Sequence, residues 1–217
     1  MHRSRAIIFD LDGTLIDSLD DIAGALNTAL RERDRPAAPR DSVRGWIGDG
    51  LPTLCRRAWP DATTEDMLAF TRAVGAAYAS ACAVETRPYP NVLQILDLLQ
   101  SRALPMAVLT NKPHDLTVAI LQALDLARFF DPIHGYHTEA EKKPSPIVAL
   151  RIASQWKMDP IDIAIVGDSD VDIRTARSAG MTAIAVSWGL RDPEELFRAK
   201  PDFMVDDPLD LVEKIFS

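Results

Sequence analysis

From residue 88 onward, short apolar runs alternate with segments of helical period, and this alternation limits the fold more than any other feature of the chain. Helices are expected at 91–101, 113–124, 145–157, 171–179 and 208–216. Strands are expected at 106–110, 133–136, 161–166 and 182–186, with a shorter extended segment at 203–205. Strands alternating with helices build a parallel sheet with right-handed crossovers, because each helix carries the chain back across a sheet face. Ala6, Ile7, Ile8 and Phe9 supply one more strand, a branched and aromatic run that leads into a glycine turn.

Residues 17–85 have a different character. Leu19, Ile22, Ala23, Leu26, Ala29 and Leu30 follow the spacing of one helix face, with Ser18 and Asp21 placed as a capping box and the helix ending before Pro36. Arg31, Arg33 and Arg35 close this helix, where cations complement the macrodipole, and they read as a solvated terminus. Further helical patterns cover 41–47, 52–59 and 64–82, the last with Thr63 and Asp66 as a second capping box. No strand signal interrupts the block. The expected organisation is therefore an α/β core of residues 1–16 and 86–217, with residues 17–85 inserted as an all-helical cap domain. An insertion at the crevice end of the first strand would form a lid.

The length of 217 residues suits one domain with a large insertion, or two small ones. A hydrophobic content of 47% and a charged content of 26% are those of an ordinary globule, not of a disordered chain. The formal net charge of -8 offers no broad positive surface, so neither nucleic acid nor an anionic membrane is an expected partner. An anionic substrate would need locally placed cations. Residues 1–5 are basic, but the apolar run after them is short and ends at Asp10, so no signal peptide is formed. No stretch reaches membrane-spanning length, and a cytoplasmic location is expected. Cys55 and Cys82 lie apart in expected helices and read as reduced, buried thiols.

The first strand runs into Asp10-Leu11-Asp12-Gly13-Thr14, two carboxylates one residue apart. A strand-end Asp is often only a helix cap, and Asp-Gly is a common turn pair. In an open α/β sheet, however, the carboxyl end of a strand faces the ligand crevice. Two carboxylates there repel each other unless a divalent cation joins them or one holds a proton. With Leu15, Ile16, Asp17 and Ser18 following, the run resembles the first motif of the haloacid dehalogenase superfamily, the D-x-D-G-T signature of its phosphatases. The resemblance implies a Rossmann-like core, Mg²⁺ as cofactor and an aspartyl-phosphate intermediate. It makes Asp10 the nucleophile and Asp12 the general acid and base, with Gly13 beside the phosphate. The acid at Asp12 separates this chain from the dehalogenase and phosphonate-hydrolysing members, which depart from the pattern.

Three more segments bear on this site. Met106 to Thr110 is an apolar strand followed by Asn111 and a helix after Pro113, so a hydroxyl, an amide and free helix N–H groups converge on a possible phosphate. Thr110 alone could equally be a helix cap. The segment resembles the superfamily's second motif, in which the strand-end hydroxyl binds phosphate. Lys112 and His114 read as solvated or capping and receive no role. Lys142 and Lys143 precede Pro144; a surface lysine pair usually serves solubility, yet a lysine aimed at the crevice would balance nucleophile and phosphate charge. The third motif, K-P-x-P, matches Lys143. The run Ile163-Ala164-Ile165-Val166-Gly167-Asp168 carries a second strand into carboxylates, and Asp168 with Asp172 fits the fourth motif, G-D-x-x-x-D. By that resemblance Asp10, Asp12 and Asp168 hold the metal, while Asp172 orients a metal-bound water or Lys143. Asp170 is an extra acid facing solvent.

Within the superfamily, the Gly45, Gly48 and Gly50 loop, Tyr89-Pro90 and Thr110-Asn111-Lys112-Pro113 are similar to the phosphoglycolate phosphatase-like branch. Arg44 could meet a substrate carboxylate there, or the loop could be a helix-to-helix turn with Trp46 in the cap core. The reaction so implied is hydrolysis of a small phosphomonoester, 2-phosphoglycolate first, by a monomer or homodimer. A sugar-phosphate phosphatase, a pyrophosphatase-like enzyme and a phosphoglucomutase-like member are alternatives. A non-catalytic binding protein would not need both Asp10 and Asp12.

Overall fold

The computed structural model describes residues 4–216; residues 1–3 of the basic start, and residue 217, lie outside the described residues. In chain order the elements are β1 (Ala6–Phe9), β2 (Ile16–Asp17), α1 (Leu19–Arg31), α2 (Arg40–Trp46), α3 (Leu51–Ala58), α4 (Thr64–Ser80), β3 (Arg87–Pro88), α5 (Val92–Ser101) and β4 (Met106–Pro113). They continue as α6 (His114–Ala123), β5 (Ile133–Tyr136), α7 (Ile147–Trp156), β6 (Ile163–Gly167), α8 (Asp170–Ala179), β7 (Thr182–Val186), α9 (Pro193–Ala199), β8 (Phe203–Val205) and α10 (Leu211–Phe216).

Six strands form one sheet in the order β5-β4-β1-β6-β7-β8, every neighbouring pair parallel. The α/β fold is the expected Rossmann-like one. β1 is central, and its residues alternate between two cores. Ile7 and Phe9 face a cluster that includes Val92, Ile95, Leu96 and Leu99 of α5 and Ile120 and Leu121 of α6. Ala6 and Ile8 face a second cluster with Val148 and Ile152 of α7 and Ile173 and Ala176 of α8. A strand covered on both faces has no polar side to show, which is why it reads as a continuous apolar run. The chain leaves β1 toward β4 on one side and later returns to β6 on the other. Their carboxyl ends therefore open into a common crevice at the switch point.

The four helices α1 to α4 lie between β1 and β4 in sequence, with α1 and α4 packed side by side. The segment is bracketed by a two-residue antiparallel pairing of β2 with β3, Ile16 opposite Pro88, which no sequence signal announced. The Ser18–Asp21 capping box does not form. The Ser18 hydroxyl donates to Asp12 at 2.5 Å, while the Asp21 carboxylate accepts from the Glu85 and Thr86 N–H groups and the Thr86 hydroxyl. Tertiary partners outcompete the local cap, and Asp21 ties the end of the segment to its start. At the second box Thr63 does accept from the Asp66 N–H, and its hydroxyl donates to the Asp66 carboxylate.

Arg33 and Arg35 are not a solvated terminus. Arg33 donates to the Ala29 carbonyl and sits 5.5 Å from the Phe70 ring centroid; Arg35 lies 4.5 Å over Trp59 and pairs with Asp61. Long basic stems cover aromatic faces between helices here. α9, capped by Asp192, escaped sequence detection because about two turns of helix carry too few apolar positions to show a period. The final helix is divided into a 3₁₀ turn, Pro208–Asp210, and α10. Cys55 is buried and Cys82 only partly so; both are free thiols. Among the described residues no helix is long and apolar enough to cross a membrane.

Candidate active site

Asp10 follows β1, Thr110 lies in β4 and Asp168 follows β6, so three neighbouring strands deliver their ends to one place. Asp10, Asp168 and Asp172 are all buried, and each offers an oxygen within 4.8 Å of the other two. The backbone has been shaped to allow this. Gly13, at φ +83°, sits where an added Cβ would overlap the Asp168 carboxylate, and a Cβ on Gly167 would overlap that of Asp172. Only glycine satisfies the first position on both counts, since the left-handed conformation also disfavours any L side chain.

The structure brings Lys143, not Lys142, into this group. Lys143 Nζ lies 2.8 Å from Asp10 Oδ1 and 2.5 Å from Asp172 Oδ1. Lys142 turns away to Glu139 at 2.7 Å and stacks over the Tyr136 ring. Asp172 is held in turn by Ser169, whose side chain and N–H complete a capping box at the start of α8. The helix cap and the lysine thus share one carboxylate, which fixes Lys143 from behind. Asp170 pairs with Arg174 on the surface side of α8.

Charge does not balance. Three buried carboxylates face one ammonium group, and the consequence falls on Asp168: burial, then the charges of Asp10 and Asp172, push its carboxyl up to about 8. Burial also raises Asp10, against the opposing pull of Lys143. A cluster of hard carboxylate oxygens with excess negative charge is the donor set a small divalent cation takes. The residues fit a metal. The Asp12 carboxylate is not part of this cluster. It points instead to Ser18 and to Lys112 Nζ, 3.0 Å from Oδ2, which leaves its backbone carbonyl as the only group it could lend.

Lys112 corrects the sequence reading most sharply. Expected in solvent, it is buried, bonded to Asp12 and to the Tyr78 hydroxyl at 2.8 Å. Strand β4 continues to Pro113, three residues beyond its expected end, and carries Lys112 inward with it. Tyr78 was hidden on the apolar face of α4 among Met67, Phe70 and Val74. A polar atom on an otherwise apolar stripe is the signal that could have marked it. The Asn111 side chain, expected at the phosphate, is fully engaged elsewhere: its amide nitrogen donates to the carbonyls of Gly48 and Lys143, and its oxygen accepts from the Lys143 N–H. It positions the lysine. Thr110 is buried and lines one pocket with Asp10, its hydroxyl accepting weakly from the Lys112 N–H at 3.3 Å.

The helical segment closes over the site. A cavity of about 50 Å³ is lined by Asp10, Asp12 and residues 110–113 below, and by α1, α3, α4 and the Gly48–Gly50 loop above. Arg44 does not point into it. Its guanidinium donates to the Gly189 and Leu190 carbonyls, and Arg191 reciprocates to the carbonyls of Gly45 and Ile47. Two arginines therefore clamp the loop to the segment after β7. Trp46 is packed against the main apolar core, as the turn reading anticipated.

Comparison with known proteins agrees with this geometry. Residues 7–186 match the model of a family described as haloacid dehalogenase-like hydrolase. The phosphoglycolate phosphatase of Aquifex aeolicus is 37% identical over 209 residues, 96% of this chain and 95% of that protein. That of Pseudomonas savastanoi pv. phaseolicola is 35% identical over 213 residues, 94% of this chain and 76% of the relative. A crystal structure of a predicted phosphoglycolate phosphatase from Haemophilus somnus superposes with a TM-score of 0.93 at 32% identity, covering 99% of each chain. With the family model spanning most of its length and its strand ends converging on one acidic pocket, this chain belongs to the haloacid dehalogenase-like hydrolases.

Proposed function

We propose that the protein is a Mg²⁺-dependent phosphatase that hydrolyses a small phosphomonoester, 2-phosphoglycolate first, through a phosphoryl group carried on Asp10. The observation that carries this reading is the convergence of Asp10, Asp168 and Asp172 around one lysine, with Asp12 alongside. The relatives' shared name supports the choice of substrate. In the first step an oxygen of Asp10 attacks phosphorus and the ester bond breaks, with Asp12 giving its proton to the leaving oxygen. In the second, Asp12 takes a proton from water, which displaces Asp10 and releases phosphate.

Phosphoryl transfer depends on position and charge more than on covalent chemistry. Lys143, Thr110 and the backbone around Gly13 would hold the phosphoryl oxygens, with Asn111 and Asp172 fixing Lys143. Asp10 and Asp168, with the Asp12 carbonyl, would hold Mg²⁺. Bound there, the cation would screen the carboxylates from the incoming phosphate and withdraw charge from phosphorus. Residues 17–85 act as a cap whose closure excludes water, and residues 1–16 with 86–217 as the core that carries the chemistry. The protein works in the cytoplasm.

Phosphate release from a panel of esters, with Mg²⁺ and with chelator, tests the proposal. Wild type should be active only with the cation, and Asp10→Asn should lose at least about 10³-fold in kcat while its circular dichroism is unchanged, as for other covalent nucleophiles. Activity retained by Asp10→Asn sinks the mechanism.

A further inference from the structure

The cavity is mostly apolar above the carboxylates, walled by Ile22, Leu51, Leu54, Val74 and Leu116, and Lys112 is the one cation among its lining residues. The other cations nearby already have structural duties. Arg44 and Arg191 hold backbone carbonyls, Lys142 holds Glu139, and Lys143 bridges Asp10 and Asp172. The partners of Lys112 are different in kind. Asp12 and Tyr78 both line the cavity themselves, and an ammonium group has three N–H donors, of which the described residues take two. The side chain is buried, only 4% exposed, and lines the cavity, so its third donor is met from the cavity side. A charged donor in a mostly apolar enclosure gains from an anionic acceptor that enters the cavity and displaces water.

We propose that Lys112, steadied by Tyr78, is the specificity-determining residue that recognises a second anionic group on the substrate. This deepens the phosphatase reading and rests on it. Geometry limits where that group can sit. Lys112 Nζ is 3.0 Å from the Asp12 oxygen atom, and Asp12 in turn must reach the ester's leaving oxygen. With ordinary hydrogen-bond lengths, the ammonium group lies roughly 5–6 Å from that oxygen. A carboxylate bonded directly to the ester carbon spans that gap; a neutral alkyl group of the same length reaches the same place with nothing to offer. The substrate class is a 2-phospho carboxylic acid or a close isostere. Tyr78 belongs to α4 and Asp12 to the β1 end, so capture of the anion joins the helical segment to the reacting centre.

The test compares 2-phosphoglycolate with ethyl phosphate, which has the same two carbons and no carboxylate, through their ratio of kcat/KM. Lys112→Met should lower this ratio roughly 10- to 100-fold, the worth of one charge-assisted hydrogen bond, and Lys112→Arg should restore part of it. Tyr78→Phe, which keeps the packing and removes one partner, should raise KM for phosphoglycolate more than for ethyl phosphate. Should Lys112→Met fail to fold, Lys112→Arg and Tyr78→Phe decide the matter by the same ratio. An unchanged ratio in the folded variants, whether both activities fall together or neither does, overturns the proposal. So does a wild type that hydrolyses other esters without preferring phosphoglycolate to ethyl phosphate. A wild type that releases phosphate from no ester refutes the phosphatase reading itself, a separate result.

Discussion

Replacing Asp168 with Asn should stabilise the metal-free protein while destroying its function. At pH 7 the Asp168 carboxyl, with its ordinary value of 3.8 raised to about 8, would be mostly protonated in the folded chain and ionised in the unfolded one. Between these two values the native state binds the extra proton, so stability falls as pH rises, by about 1.36 kcal/mol per unit. From the ordinary value to pH 7 the loss is on the order of 4 kcal/mol. Asn carries no charge to titrate and can still accept from the Leu190 N–H, which meets Asp168 Oδ2 at 2.7 Å. A gain of about 2–4 kcal/mol at pH 7 in chelator follows, shrinking toward zero near pH 4. The assay is urea denaturation at a series of pH values, with chelator and with excess Mg²⁺. Wild type should show a falling stability between pH 4 and 8 that added Mg²⁺ removes, since a ligand that binds only the native state stabilises it by mass action. Asp168→Asn should lose less stability with rising pH than wild type, keeping the part due to Asp10, which burial raises to about 6, and should be insensitive to Mg²⁺. If Asp168→Asn is less stable than wild type in chelator at pH 7, the charge imbalance argued for this cluster is wrong.

Two further substitutions probe the scaffold. Gly13→Ala places a methyl group on the Asp168 carboxylate and forces an L residue to φ +83°, so a stability loss of at least about 1–2 kcal/mol in thermal melts, with a collapse of Mg²⁺-dependent turnover, is expected. Asp21→Ala strips the partners of the Glu85 and Thr86 N–H groups and of the Thr86 hydroxyl, and should cost about 2–4 kcal/mol in urea titrations while faster amide exchange appears around residues 84–88.

Much of this architecture follows from local pattern. The β1 and β6 strands are apolar throughout, and β7 after Thr182, because both sheet faces are covered, and a run of that kind followed by Asp at 10 and 168 can be located without coordinates. The helices α5 to α8 announce themselves by period, within a few residues of where they lie. α9 and the β2–β3 pairing do not, because elements of seven and two residues are formed by what they touch rather than by propensity.

The site divides along the same line. Resemblance to the superfamily motifs marked Asp10, Asp12, Thr110, Lys143, Asp168 and Asp172 as candidates, because the motifs keep a recognisable order and context along the chain. Which partner each side chain takes was a tertiary decision: Ser18 leaves its cap for Asp12, Asn111 turns to the Lys143 backbone, and Lys112 abandons solvent for Asp12 and Tyr78. The physical reason is that a buried polar group must find a partner wherever one is within reach, and reach is set by chain segments far apart in order.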